Sequence, residues 1–222
     1  MTPPPLNLKN SVLLTEALTH RSYLNENHST SRHNERLEFL GDAVLELAVS
    51  EFLFHRFPNQ PEGDLTAYRA ALVRTTTLAS IATKLKLGIS LRLSKGEELS
   101  GGRTNPSLLA NTFEAILGAL YLDQGYLPVV AFLQDHLFPQ IDTIIKHHLF
   151  KDYKSTLQEQ VQAEGYPSPE YVVVSETGPD HNKEFTVAVK IKDQNFATGT
   201  GKSKQLAQQA AARLALENLG KS

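Results

Sequence analysis

The chain of 222 residues has no cysteine, no long apolar run and almost no net charge, and each absence removes a class of function. Without cysteine there is no disulfide framework, no thiolate metal site and no thiol nucleophile, so any catalysis runs on oxygen and nitrogen groups. The longest wholly apolar stretches fall well short of the roughly 20 residues that a membrane span needs. Met1-Thr2-Pro3-Pro4-Pro5 has neither the basic start nor the apolar segment of an export signal. A soluble, unexported, cytoplasmic protein with no membrane partner is expected. Lys and Arg number 22 against 24 Asp and Glu, a net charge of −2, which argues against holding nucleic acid by bulk positive charge and leaves local basic contacts open. With 41% apolar and 21% charged residues, there is chain enough for one generous domain or two modest ones.

What is present falls into two textures. Apolar residues recur at three- and four-residue steps through 12–24, 34–57, 64–86, 105–122 and 127–146, which predicts helices. Phe57-Pro58-Asn59-Gln60-Pro61-Glu62-Gly63 and the glycine-rich run from Gly96 to Arg103 punctuate them. Past 147–152 the pattern changes: a helix over 152–164 ends at Gly165 and Pro167, and strands follow at 171–174, 185–191 and 195–200. The second strand alternates Phe185, Val187, Val189 and Ile191 with polar or small residues, and an alanine-rich helix over 203–219 closes the chain. The expected architecture is two domains: an all-α domain over 1–147 and an α+β (α-β-β-β-α) module over 148–222.

The chemistry concentrates in one helix. At about 100° per residue, Glu35, Glu38, Asp42 and Glu46 fall within an arc of roughly 80°, while Leu37, Phe39, Leu40, Ala43, Val44, Leu45 and Leu47 fill the rest. Like charges at this spacing repel, so something must compensate them. An acidic stripe alone is an ordinary solvated face; here Gly41 permits close approach of a second helix. In the segment 108–118, Asn111 and Glu114 lie three apart on one face, flanked by the small Ala115 and Gly118. Glu38 and Asp42 could therefore converge with Asn111 and Glu114 on a hard divalent cation, Mg²⁺ or Mn²⁺, since all the ligands are oxygens. A di-iron bundle would need Glu-x-x-His pairs, and no histidine lies three residues after a glutamate.

The run Asn34-Glu35-Arg36-Leu37-Glu38-Phe39-Leu40-Gly41-Asp42 closely resembles the nine-residue signature of ribonuclease III. The resemblance extends to Leu18-Thr19-His20-Arg21-Ser22-Tyr23, to Pro61-Glu62-Gly63-Asp64-Leu65 and to Thr112-Phe113-Glu114-Ala115, and the C-terminal module resembles a double-stranded-RNA-binding domain. One nuclease domain with one such module is similar to the bacterial enzyme rather than to Dicer-like proteins. The resemblance implies that Glu38, Asp42 and Glu114 are catalytic metal ligands, with Asn111 where the best-known members carry aspartate. It gives Glu35 and Glu62 accessory acidic roles, and it makes Phe39 an interface aromatic of a homodimer; by pattern alone Phe39 is equally an ordinary core residue. Glu46 has no matching role and is read as structural. The implied reaction is hydrolysis of double-stranded RNA by metal-activated water, leaving 5′-phosphate and 3′-hydroxyl ends with short 3′ overhangs, in processing of ribosomal, messenger and other structured precursors, with Mg²⁺ and no small-molecule cofactor. Asn111 keeps an alternative open: a catalytically weakened protein that grips duplex RNA without cutting it. A helical scaffold for protein partners is a third reading, and it predicts no duplex affinity.

From Lys151 onward nine Lys or Arg face nine Asp or Glu, so the module's RNA contacts must be local. The resemblance places them in three patches. Ser155, Gln158 and Glu159 on the first helix would meet 2′-hydroxyls and base edges in a minor groove, and His181 in the Gly178-Pro179-Asp180-His181 loop would meet the next. Lys202, Ser203 and Lys204 at the start of the last helix would span the intervening phosphates. Gln205 stands where a further lysine is usual and Gln208 where glutamate is usual. Arg103 is a weaker phosphate-contact candidate.

Overall fold

The computed structural model describes residues 8–26, 32–146, 148–150, 152–179, 183–192 and 194–220. Two compact units, Met1–Phe150 and Lys151–Ser222, divide the chain close to the sequence-based boundary at 147/148. Among the described residues no helix is long and apolar enough to cross a membrane.

The first unit is helical throughout. Its elements are α1 (Ser11–Ala17), α2 (Arg21–Glu26), α3 (Glu35–Arg56), α4 (Glu62–Val73), α5 (Thr75–Lys84), α6 (Leu87–Ser90), α7 (Lys95–Leu99), α8 (Pro106–Gln124), α9 (Tyr126–His136) and α10 (Gln140–Lys146), with a 3-10 turn at Gly102–Thr104. Three of the expected helices are broken. The span 12–24 is interrupted at Leu18–His20, where the chain extends and Thr19 pairs in parallel with Arg92. The span 64–86 breaks at Arg74, whose ψ of 147° lies outside the helical range. There the hydroxyl of Thr77 donates back to the Ala71 carbonyl at 2.9 Å, the local competition that lowers threonine's helix propensity. The span 127–146 breaks at Leu137-Phe138-Pro139, since proline offers no N–H to continue the ladder. Apolar spacing stays in phase across all three breaks, which hides them from periodicity alone.

Helix α8 is the axis of this unit. Asn105 caps it by accepting from the Ser107 and Leu108 amides, and Pro106 fills the first-turn position where its missing N–H costs nothing. Leu109, Ala110, Thr112, Phe113 and every residue from Ala115 to Leu120 are buried, so α8 is enclosed on nearly all sides. Full burial of a side chain such as Phe113 or Ile116 contributes about 1.5–3 kcal/mol. Helix α3 crosses α8 at backbone contact. A Cβ added to Gly41 would lie 1.8 Å from the Glu114 carbonyl oxygen, and one added to Gly118 would lie 2.2 Å from that of Leu37.

The second unit runs α11 (Tyr153–Ala163), β1 (Glu170–Thr177), β2 (Glu184–Ile191), β3 (Gln194–Gly201) and α12 (Lys204–Leu219). The strands form one antiparallel sheet in the order β1-β2-β3. Its core joins Leu157 and Val161 of α11, Val189 and Ile191 of β2, and Ala211, Ala212 and Ala215 of α12. The alanines let α12 lie so close to β3 that a Cβ on Gly199 would come within 2.1 Å of the Ala211 amide nitrogen.

The α3–α8 contact yields a paired expectation. Gly41→Ala should destabilise the protein by about 2–3 kcal/mol through forced separation of the helices. Gly63→Ala should stabilise it by about 0.5 kcal/mol, because it lies in a helix where a Cβ would meet nothing within 4 Å. Urea denaturation of both variants checks this; equal and small effects would mean that α3 and α8 have room to spare.

Candidate functional site

The crossing at Gly41 and Gly118 brings the four sequence-predicted ligands into one region. Glu38 and Asp42 come from α3, Asn111 and Glu114 from α8, and the Asn111 amide donates a hydrogen bond to the Glu38 carboxylate. Glu38, Asn111 and Glu114 are half-buried, whereas Asp42 is exposed. Burial, followed by the charges of Asp42, Glu38 and Glu46, pushes the Glu114 carboxyl up to about 7. Burial and the neighbouring Glu35 also raise Glu38, against the opposing pull of the Asn111 hydrogen bond, with Asp42 adding to the rise. The three carboxylates are thus close enough to feel one another, and among the described residues none of them has a cationic partner. They do not close into a ready-made cage: among the described residues no three His, Cys, Asp or Glu side chains gather at metal-binding separation. The donor set nonetheless fits a hard divalent cation, being all oxygen and carrying anionic charge whose cost positive charge would relieve.

The other predicted residues of this unit have varied surroundings. Glu35 pairs with Arg21 at 3.3 Å and lies 3.8 Å from His33. Glu62 is the exposed first residue of α4 and accepts from the Thr66 hydroxyl at 2.9 Å. Glu46 pairs with Arg69 Nε at 2.9 Å, and Arg69 also donates to the Ser50 hydroxyl. This contact was not legible in sequence, where Arg69 stands alone on another helix. Phe39 is 81% exposed, so the core reading fails. Arg103 has a different occupation from the expected phosphate contact: its Nε donates to Glu98 at 2.7 Å and its Nη1 to the carbonyls of Gly88, Ile89 and Leu91. It staples the chain around 88–103. The run Leu18–Tyr23 is likewise a fastener, with the Arg92 guanidinium 4.3 Å from the Tyr23 ring centroid and the Ser94 amide donating to the Ser22 hydroxyl.

In the second unit Ser155, Gln158 and Glu159 are exposed on α11. Ser155 and Gln158 line a groove of about 300 Å³ with Pro169, Tyr171 and Gln205. Asp152 caps α11 through the Ser155 amide and accepts from the Gln209 side chain at 2.9 Å, fixing α11 to α12. Ser203 caps α12 by accepting from the Leu206 amide. Lys204 Nζ lies 2.8 Å from Glu176, and Lys202 Nζ lies 4.0 Å from Glu184. Lys154, which the sequence reading passed over, donates to Gln208 at 2.8 Å and lies above the Tyr171 ring. His181 lies outside the described residues.

A family model described as Ribonuclease-III-like matches residues 10–141, and one described as Double-stranded RNA binding motif matches residues 153–219. The chain is 51% identical over 216 residues to Ribonuclease 3 of Geobacillus kaustophilus, covering 96% of this chain and 87% of that relative. It is 47% identical over 210 residues to Ribonuclease 3 of Bdellovibrio bacteriovorus, covering 94% and 90%. Among solved structures it is similar to the nuclease domain of ribonuclease III from Campylobacter jejuni, with a TM-score of 0.54 and 44% identity, covering 60% of this chain and 92% of that one. In that domain a region involved in dimer formation is structurally flexible.

The raised carboxyls make stability fall with pH. Glu114 titrates near 7 in the fold against 4.5 ordinarily, so the folded state keeps a proton that the unfolded chain has lost between those values. In the presence of a chelator, stability should therefore decline as pH rises from about 4.5 to about 7. Glu114→Gln should remove most of the decline and stabilise the protein at pH 8 by about 1–2 kcal/mol, a value reduced for the solvent that still reaches this half-buried group. Urea titrations at pH 5 and pH 8 check it; an undiminished decline in the variant would move the titration to other groups.

Proposed function

The chain belongs to the ribonuclease III family, and from that premise we propose that it is a cytoplasmic, homodimeric, divalent-metal-dependent endoribonuclease. Its substrate is double-stranded RNA, cut by phosphodiester hydrolysis to 5′-phosphate and 3′-hydroxyl ends with short 3′ overhangs, in processing of ribosomal and other structured precursors. The observation that carries this reading is the glycine-mediated crossing of α3 and α8, which brings together three carboxylates and an amide with no cationic side chain paired to them among the described residues. Glu38, Asp42, Asn111 and Glu114 would hold Mg²⁺, or Mn²⁺ in its place. Such a cation supplies a nucleophilic water at neutral pH and offsets charge on the scissile phosphate.

The chain's own groups prepare the site. The Asn111 amide orients the Glu38 carboxylate by donating to it. Glu114, whose carboxyl is raised to about 7, holds a proton that a bound cation would displace. Arg69 pairs with Glu46, whose charge still adds to the rise of the Glu114 carboxyl.

Dimerisation is supported by the exposure of Phe39, which with Leu13, Leu37, Leu40 and Leu122 lines a groove of about 530 Å³ that Glu16, Arg32, Glu35 and Arg36 also border. A ring on one protomer set among the leucines of this groove on the other, with the charged residues at its border, satisfies a two-fold, self-complementary contact. One cluster cuts one strand, so cutting both strands calls for two copies. In the second unit, exposed Ser155, Gln158 and Glu159 suit 2′-hydroxyl and base-edge contacts in a minor groove, with His181 for the next and Lys202 and Lys204 for phosphates.

With Mg²⁺ and a perfect duplex of about 30 base pairs, long enough for two modules, the protein should cut. Glu114→Gln should lower the rate at least about a hundredfold while leaving duplex affinity within about twofold. Binding without any cleavage by the unaltered chain in Mg²⁺ or Mn²⁺ would favour the non-cutting binder. Asn111→Asp replaces a donor to Glu38 by a further negative charge. It should reduce the Mg²⁺ needed for half-maximal cleavage by roughly three- to tenfold and slightly destabilise the metal-free fold. Mg²⁺ titrations of cleavage rate for both forms decide; an unchanged requirement would remove residue 111 from the ligand set.

A further inference from the structure

The lysines that the duplex-binding reading assigns to RNA phosphates already face carboxylates. Lys204 Nζ is 2.8 Å from Glu176 Oε1 and 5.6 Å from the centroid of the Phe185 ring. Strand register sets this up. Glu176 on β1 is opposite Phe185 on β2, which is opposite Gly201 on β3, so acid, ring and the approach to α12 form one row across the sheet. In the next row Glu184 is opposite Thr177, and its carboxylate lies 4.0 Å from Lys202 Nζ. The Ser203 cap fixes the first turn of α12, so Lys204 reaches back over Phe185 from a fixed origin. Lys204 also holds the Glu176 carboxyl below its ordinary range, chiefly through their hydrogen bond.

Both pairs are exposed, and exposed pairs contribute little to stability. Their consequence lies in where they stand. Glu176 occupies the Lys204 ammonium and Glu184 stands close to that of Lys202, where phosphates would bind, and the neighbouring Gln205 and Gln208 add no positive charge. We infer that Glu176 and Glu184 are built-in counter-anions that compete with RNA phosphate for Lys204 and Lys202, making the grip of α12 on a duplex an exchange of one anion for another. The inference rests on the duplex-binding reading of α12. The exchange weakens the electrostatic part of binding, flattens its dependence on salt and speeds release, which suits a nuclease that must let go of its product. It also explains how a module with nine basic and nine acidic residues can deploy lysines on a polyanion without holding it tightly.

The test measures affinity of the full chain for a 30-base-pair RNA duplex across a KCl series, with a chelator present to prevent cutting. Glu176→Gln should tighten binding by about two- to fivefold, slow dissociation, and steepen the slope of log affinity against log salt by up to about one. In a Lys204→Gln background the same substitution should do nothing, a dependence that a general effect on the sheet would not produce. Glu184→Gln with and without Lys202→Gln repeats the cycle on an independent pair, with a smaller gain for its longer distance, and serves alone if Glu176→Gln does not fold. Unchanged or weaker binding in the glutamine variants, or an equal gain without the lysine, overturns the inference. Lys204→Gln by itself separates the two readings: lower affinity and a shallower slope support the duplex grip, while no change overturns that reading and the counter-anions with it.

Discussion

Two glycines in backbone contact are the constraint on which the first unit depends. Helices α3 and α8 meet where Gly41 faces the Glu114 carbonyl and Gly118 faces that of Leu37, a separation that no side chain allows. The same crossing fixes the distance between the acidic faces of the two helices. Carboxylates that would spread apart in water are held together by apolar packing around α8, and their burial, with their mutual repulsion added, appears as the raised Glu114 and Glu38 carboxyls. Stability and chemistry pull in opposite directions here: the core supplies the energy with which the acids are kept close, and a cation would recover part of it.

The acidic helix was legible because its chemistry is local. Glu38 and Asp42 share a face by spacing alone, and the combination of Gly41 with Ala115 and Gly118 announces a close partner. The α-β-β-β-α order was legible for a similar reason, since the change from a three-to-four period to a two-residue period at Tyr171 and Phe185 is a local pattern. Helix breaks were not, because packing against one continuous core preserves the apolar phase through Arg74 and Leu137. Long side chains misled most. A basic residue in a glycine-rich loop reads as a phosphate contact, but the Arg103 guanidinium meets three carbonyls that only the folded chain brings together. Phe39 shows the converse. An aromatic in an apolar helix reads equally as core, and its exposure follows from which faces of α3 the neighbouring helices cover.

The second unit handles charge differently from the first. Around Glu38 and Glu114 no basic side chain intervenes among the described residues, and the imbalance, which burial aggravates, is sustained by the packing of α3 on α8. In the second unit both Lys202 and Lys204 face a carboxylate placed by strand register. One arrangement stores repulsion for a compact multivalent ion, and the other spreads near-neutrality over a surface meant for an extended polyanion.

The pairing of Thr19 with Arg92 also bears on the order in which the chain assembles. These residues stand 73 positions apart, and the extended link at Leu18–His20 is held by backbone bonds to both sides of Arg92. Such a contact cannot form until the helices between have brought its ends together, because the entropy of closing so long a loop is lost before any bond is gained. The strap between Thr19 and Arg92 and the contact of Gly41 with Glu114 close loops of the same length, so each depends on the packing of the helices between. The strap rests on a few backbone bonds and the Arg92 side chain, whereas α3 and α8 meet along a buried helix, so detaching α1 should cost less free energy than parting the two glycines.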